Sequence, residues 1–198
     1  MLAYLAIIII MILNYTSYKN GDWFYKLREK LDKEPKVFDL AYAYLPKLRT
    51  DEYYINILNW FFGILPFMPF FFRPIQKSNL DLFTEMMEYF IPVYLIRAFT
   101  TNLTILPPDK KCTIKEFTFN ELIQGHCYDK LFSGHLALAM IAMYIFWKYH
   151  IISSNYLAIN VFLTILYMLI SRGHYSNDLI FSFFVVYFVI NQNIKLSF

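Results

Sequence analysis

A chain of 198 residues with 58% hydrophobic, 21% aromatic and only 17% charged residues is not composed like a soluble domain, which carries about 45–50% apolar and roughly 25% charged residues. A net charge of +3 without a basic run interleaved with aromatics excludes nucleic acid as a partner, and five glycines and eight prolines exclude collagen-like and low-complexity chains. Two cysteines are too few for a disulfide scaffold or a Cys-rich zinc site, which leaves a small polytopic membrane protein forming one unit over residues 1–198.

Charged residues punctuate the chain into apolar runs near the ~20 residues that cross a bilayer as a helix. Residues 1–18 form the first expected span; they lack a basic n-region and an A-x-A-like cleavage site, so a retained helix is expected and not a signal sequence. Residues 19–52 carry eight Lys/Arg and seven Asp/Glu beside Trp23, Phe24 and Phe38, a mixture expected of amphipathic segments lying on the membrane. Residues 53–72 make the second span. Residues 80–99 make the third, with Glu85 and Glu88 near its start, where they can reach the interface. Residues 131–147, 149–171 and 179–194 complete an all-α membrane protein of six transmembrane helices. Alternation then puts residues 19–52, the loop after the third span and the turn at Arg172 on one face. The termini, residues 73–79 and the turn at Lys148 lie on the other.

Chemistry-bearing residues gather on the first face. His135 starts the fourth span, at the end of the run Cys127-Tyr128-Asp129-Lys130-Leu131-Phe132-Ser133-Gly134-His135. His174 closes the fifth, in His174-Tyr175-Ser176-Asn177-Asp178, and Asp178 opens the sixth, while Arg97 arrives there at the end of the third. Ionisable groups at membrane depth are costly, so each is a functional candidate. Together they suit phosphoryl transfer. A neutral imidazole attacks phosphorus and divides the reaction into two steps through a phosphohistidine. A carboxylate on the other ring nitrogen fixes the tautomer and stabilises the cationic ring. A second histidine protonates the leaving alkoxide and then deprotonates the incoming alcohol. Arg97 pairs with phosphate oxygens, and Ser133-Gly134 caps the fourth helix so that its free N–H groups face the same anion. Singly, each residue has a plainer reading, a satisfied histidine at a helix end or an arginine snorkelling to the interface. His126 and His150 fit no such pattern.

The runs C-Y-D-K-L-F-S-G-H and H-Y-S-N-D resemble the third and fourth signature motifs of sphingomyelin synthases, C-G-D-x-x-x-S-G-H and H-Y-[ST]-x-D. That family belongs to the lipid phosphate phosphatase superfamily. Residues 97–107, R-A-F-T-T-N-L-T-I-L-P, resemble the second motif, R-x-x-T-x-x-x-T-x-L-P, and the first is matched only faintly around Pro35 to Asp39. The resemblance covers about residues 90–190. It implies catalytic His174 (nucleophile), Asp178 (orienter) and His135 (acid/base), with Arg97, Thr100, Asp129, Ser133, Gly134 and Tyr175 binding substrate. The implied reaction moves a phosphorylated head group from a glycerophospholipid to ceramide and releases diacylglycerol, with membrane lipids as the partners and neither metal nor cofactor. Tyr128 stands where the family has glycine and Asn102 where it has an aromatic, and both departures are expected to line the head-group site.

Two further functions are weighed. A lipid phosphate phosphatase carries an upstream K-x6-R-P and places S-R six residues before the second histidine. Here Arg73-Pro74 has Pro66 at the lysine position, and Ser171-Arg172 stands almost against His174. A non-enzymatic lipid-binding protein would show a broken triad. For orientation, all Lys and Arg except Arg73, Lys77, Lys148 and Lys195 fall on the active face, which the positive-inside rule would make cytosolic. The resemblance implies a lumenal or exoplasmic face in the secretory pathway or plasma membrane. It also implies a disulfide between Cys112 and Cys127, a bond that persists in that compartment.

Overall fold

The computed structural model describes residues 2–30, 39–48, 52–72, 78–104 and 131–197, and every regular element within them is helical. Helix α1 spans Leu2–Lys30, α2 Leu40–Tyr44 and α3 Glu52–Ile64; a 3-10 turn over Leu65–Phe67 leads to α4, Pro69–Phe72. Then come α5 (Asn79–Leu103), α6 (Gly134–Lys148), α7 (Ser154–Ile170) and α8 (Ser176–Asn191).

Central in the bundle is α6, which packs against α5, α7 and α8, while α1 lies along α5. Its alanines, Ala137, Ala139 and Ala142, are buried and let neighbouring helices approach closely. Around them Leu82, Met86, Tyr89, Val93, Phe132, Ile141, Phe146 and Val186 close the main core. Polar groups join α1 to α5. The Asn102 amide donates to Leu13 O (2.6 Å) and Ala98 O (2.8 Å), Thr16 donates to Asn102 Oδ1 (2.7 Å), and Ser17 donates to Thr101 O (3.2 Å). Asn102 therefore ties α1 to α5, its amide shared between the Leu13 carbonyl across the helix pair and the Ala98 carbonyl one turn back on its own helix.

Among the described residues, one stretch, Leu2–Gly21, is long and apolar enough to cross a membrane by itself. Apart from α5, the other expected spans form shorter helices, for local reasons. Residues 53–72 are interrupted by Pro66, which lacks an N–H donor and sits in the 3-10 turn. Helices α6 and α7 begin late because Ser133 and Ser153 cap them, leaving 15 and 17 residues, and α8 has 16. The 25 residues of α5 carry Asp81, Glu85, Glu88 and Arg97. The outward faces stay apolar all the same: Ile159 and Phe162 on α7 and Ile180, Phe184, Tyr187 and Phe188 on α8 are exposed, as on a surface that lipid covers.

The end of the bundle away from His135 is closed by a charged knot. Buried Glu85 accepts from Lys148 Nζ (2.6 Å), Tyr149 Oη (2.5 Å) and Lys195 Nζ (3.0 Å), joining α5, the end of α6 and the C-terminal tail. Pro92 in α5 has no N–H for the Glu88 carbonyl one turn back, and the tail fills that acceptor with Leu196 N–H at 3.1 Å. Glu85→Ala should take the nearest carboxylate from two ammonium groups and a hydroxyl, leaving Lys195 with Glu88 Oε2 at 3.8 Å. Because both lysines are partly solvated, we expect a loss of about 1–3 kcal/mol, read as a lower Tm in detergent, with Glu85→Gln losing less. An unchanged Tm for Glu85→Ala would show the knot to be idle.

Candidate active site

The opposite end of the bundle gathers three helix termini. Ser133 caps α6. Its hydroxyl accepts the Leu136 N–H (3.3 Å) and donates to Met168 Sδ (3.2 Å), and its own N–H donates to Ser182 Oγ (2.7 Å). Ser182 in turn donates to the Asp178 carbonyl at 2.6 Å, so one buried serine fixes the start of α6 against the first turn of α8. Ser133 is fully buried, with its polar atoms spent on this joint. Gly134 opens α6 and His135 follows, exposed at the same end.

Arg97 is 3% exposed near the end of α5, its guanidinium 4.9 Å from the Tyr94 ring centre and close enough to His135 to interact with it electrostatically. Thr100 donates to the Arg97 carbonyl at 2.9 Å. Gly134 is required by close approach. A Cβ there would overlap the Tyr94 hydroxyl and come within 3.5 Å of Arg97 Nε. Gly134→Ala should therefore push Tyr94 aside, and with it the ring on which Arg97 rests, while improving α6, since alanine outranks glycine in a helix by about 1 kcal/mol. We expect Tm to hold or rise while turnover falls about tenfold. Adding Tyr94→Phe, which removes the obstructing oxygen, should restore part of it. Loss of Tm in step with activity would contradict this.

The His174–Asp178 pair is formed on α8. Asp178 is fully buried, its Oδ2 accepts the Tyr175 N–H at 3.0 Å, and His174 Nδ1 stands 3.4 Å from the same oxygen. The i,i+4 spacing works because Tyr175 is the N-cap and Asp178 occupies the first turn, where a carboxylate is favoured by the helix dipole. The imidazole keeps 15% of its side-chain surface exposed, which leaves Nε2 as the edge away from the carboxylate. A separation of 3.4 Å is long, as such contacts often are before substrate binds.

Four participants were given no role by sequence, although Asp39 stands at the end of the faintly matched first motif. Tyr94 and Ser182 are described above. Tyr42 and Asp39 come from the segment 39–48, which lies over the His174 turn. Asp39 accepts from the Ser176 N–H (2.6 Å), the Ser176 hydroxyl (2.8 Å) and the Tyr42 N–H (3.1 Å). Tyr42 Oη donates to the His174 carbonyl at 2.8 Å. Burial alone would raise the Asp39 pKa, but the Ser176, Tyr42 and Ala41 donors outweigh it and hold the carboxyl below its ordinary value. Its hydrogen bonds thus contribute fully above the unfolded-state pKa and are lost only as pH falls through the lowered one. Tyr42 is pushed up by burial, then by Tyr175 and Asp39, and remains a donor. Asp129, Tyr128, Cys112 and Cys127 lie outside the described residues.

Residues 126–193, which contain His135, His174 and Asp178, match the family model described as PAP2 superfamily C-terminal. The match covers about a third of the chain and supports the lipid phosphate phosphatase superfamily, whose members are membrane-associated and typically phosphoesterases or phosphotransferases. No curated protein and no solved structure matches the chain.

Proposed function

We propose that this chain is a multi-pass ceramide head-group phosphotransferase of the sphingomyelin synthase type. The observation carrying the reading is the His174–Asp178 pair at the start of α8, inside the stretch that matches the superfamily model and at the bundle end that bears His135. His174 Nε2 attacks the phosphorus of a glycerophospholipid; the bond from phosphorus to the diacylglycerol oxygen breaks, and His135 gives that oxygen a proton. The ceramide primary hydroxyl then loses its proton to His135 and attacks the phosphohistidine, and the P–N bond breaks. Asp178 holds the Nδ1 proton throughout. Arg97 and the Gly134 end of α6 meet the phosphate oxygens, with Thr100, Asp129, Ser133 and Tyr175 around them. The site faces the lumen or the cell exterior.

A phosphatase, in which water replaces the acceptor alcohol, is the second reading. It is less favoured because residue 66 is a buried proline, and because Arg172 gives Nη2 to the Tyr42 and Leu45 carbonyls, both at 2.9 Å. Cell-free expression into liposomes, with fluorescent ceramide and phosphatidylcholine, phosphatidylethanolamine or phosphatidylinositol in turn, separates the two. Transfer gives a head-group-bearing ceramide and diacylglycerol together. Diacylglycerol and free phosphorylated head group without the ceramide product would overturn the transferase reading. Sealed microsomes with donor in the outer leaflet only should show no transfer until opened; transfer in intact microsomes would make the site cytosolic.

A further inference from the structure

The turn that carries His174 is held by a distant part of the chain. In the first turn of α8, Asp178 takes the Tyr175 N–H locally. The next N–H, that of Ser176, goes to Asp39, 137 residues away in sequence. Because Asp39 also caps α2 through the Tyr42 N–H, one carboxylate fixes two helix starts against each other.

Neighbouring residues repeat the tie. The Tyr42 hydroxyl reaches the His174 carbonyl, and its ring lies 5.4 Å from that of Tyr175. Arg172, in the left-handed region at φ 60°, lays its guanidinium 4.1 Å from the Tyr42 ring centre, and Leu48 N–H donates to Ile170 O at 2.9 Å. A left-handed arginine costs strain that its surroundings must offset, and the bonds from its guanidinium to the 39–48 carbonyls supply that. Residues 170, 172, 174 and 176 are thus each fastened to one short segment.

We propose that Asp39, acting with Tyr42, is a positioning residue for His174, and that segment 39–48 is a clamp that sets where the imidazole stands. The catalytic part of this inference rests on the phosphotransferase reading. Asp39 touches no reacting atom. It acts through the backbone of Ser176 and His174, and a displacement of roughly 1 Å at a nucleophile costs on the order of 100-fold in rate.

The test uses full-length protein in nanodiscs, as wild type, Asp39→Asn, Asp39→Ala, Ser176→Ala and Tyr42→Phe. Two readouts are taken: steady-state transfer per folded molecule, and hydrogen exchange of the amides in 170–178 against those in 134–148. We expect kcat to fall about tenfold for Asp39→Asn and about 100-fold for Asp39→Ala, with KM for the donor within about twofold. Exchange should rise in 170–178 and stay unchanged in 134–148. Should Asp39→Ala fail to fold, Asp39→Asn and Ser176→Ala carry the same comparison. Variants with wild-type kcat, a loss confined to KM, or unchanged exchange in 170–178 would overturn the clamp. A wild-type protein that transfers no head group would overturn the functional reading alone, and exchange would still decide the clamp.

Discussion

His174→Ala should lower turnover by at least about 10⁴-fold, as removal of a nucleophile does, and leave the fold intact. The fold is spared because the tie to the clamp is made by the His174 carbonyl, which alanine retains, and because Asp178 keeps the Tyr175 N–H. A donor labelled in its phosphate should mark the wild-type protein during turnover with an acid-labile adduct, and mark His174→Ala not at all. His135→Ala should behave differently. With a natural donor it stalls for want of a proton on the leaving oxygen, whereas a donor with a good leaving group should let the first step proceed and the labelled protein accumulate. Label on His174→Ala, or activity above a few per cent in that variant, would remove the phosphohistidine from the mechanism.

The His174–Asp178 pair was legible because its geometry is local. His174 and Asp178 are four residues apart, and a helix N-terminus turns that spacing into a contact; Ser133-Gly134-His135 similarly reads as a capped helix start. Which groups share an end of the bundle was legible too, since charged residues mark where runs end. Glu85, Lys148 and Lys195 meet at one end, and segment 39–48 meets the Arg172 turn at the other. Residues 53–72, 131–147 and 149–171 were read too generously, because an uncharged run does not reveal that Pro66 breaks it or that Ser133 and Ser153 delay its start. Helices α1 and α5, by contrast, run on past their expected spans. Asp39 and Ser182 escaped for a different reason. One sits in a charged stretch and the other in an apolar one, and each reaches the site through a partner 137 or 49 residues away. Asn102 shows the same limit, since its tie to Leu13 of α1 spans 89 residues and nothing in its motif marks it.

The second large effect is expected at Asp178, where two substitutions separate orientation from stability. Asp178→Asn keeps the shape and one carbonyl oxygen for the Tyr175 N–H, at a loss of about 0.3–1 kcal/mol from the weaker helix-dipole interaction. Asp178→Ala loses that hydrogen bond as well and should be the less stable of the two. Activity should not follow that order. Tyr175 N–H and His174 Nδ1 meet the same carboxylate oxygen. An asparagine that rotates to keep its oxygen on the Tyr175 N–H and bring its NH₂ to Nδ1 makes that nitrogen accept; the ring proton moves to Nε2, and the attacking lone pair disappears. We expect Asp178→Asn to fall by about 10³- to 10⁴-fold. Alanine, which imposes no tautomer, should be equal or better per folded molecule. Tm in detergent and transfer per folded protein, measured on the same preparations, should therefore rank the two variants in opposite order. Should activity simply follow stability, Asp178 would be a helix-capping residue and His174 would find its tautomer without it.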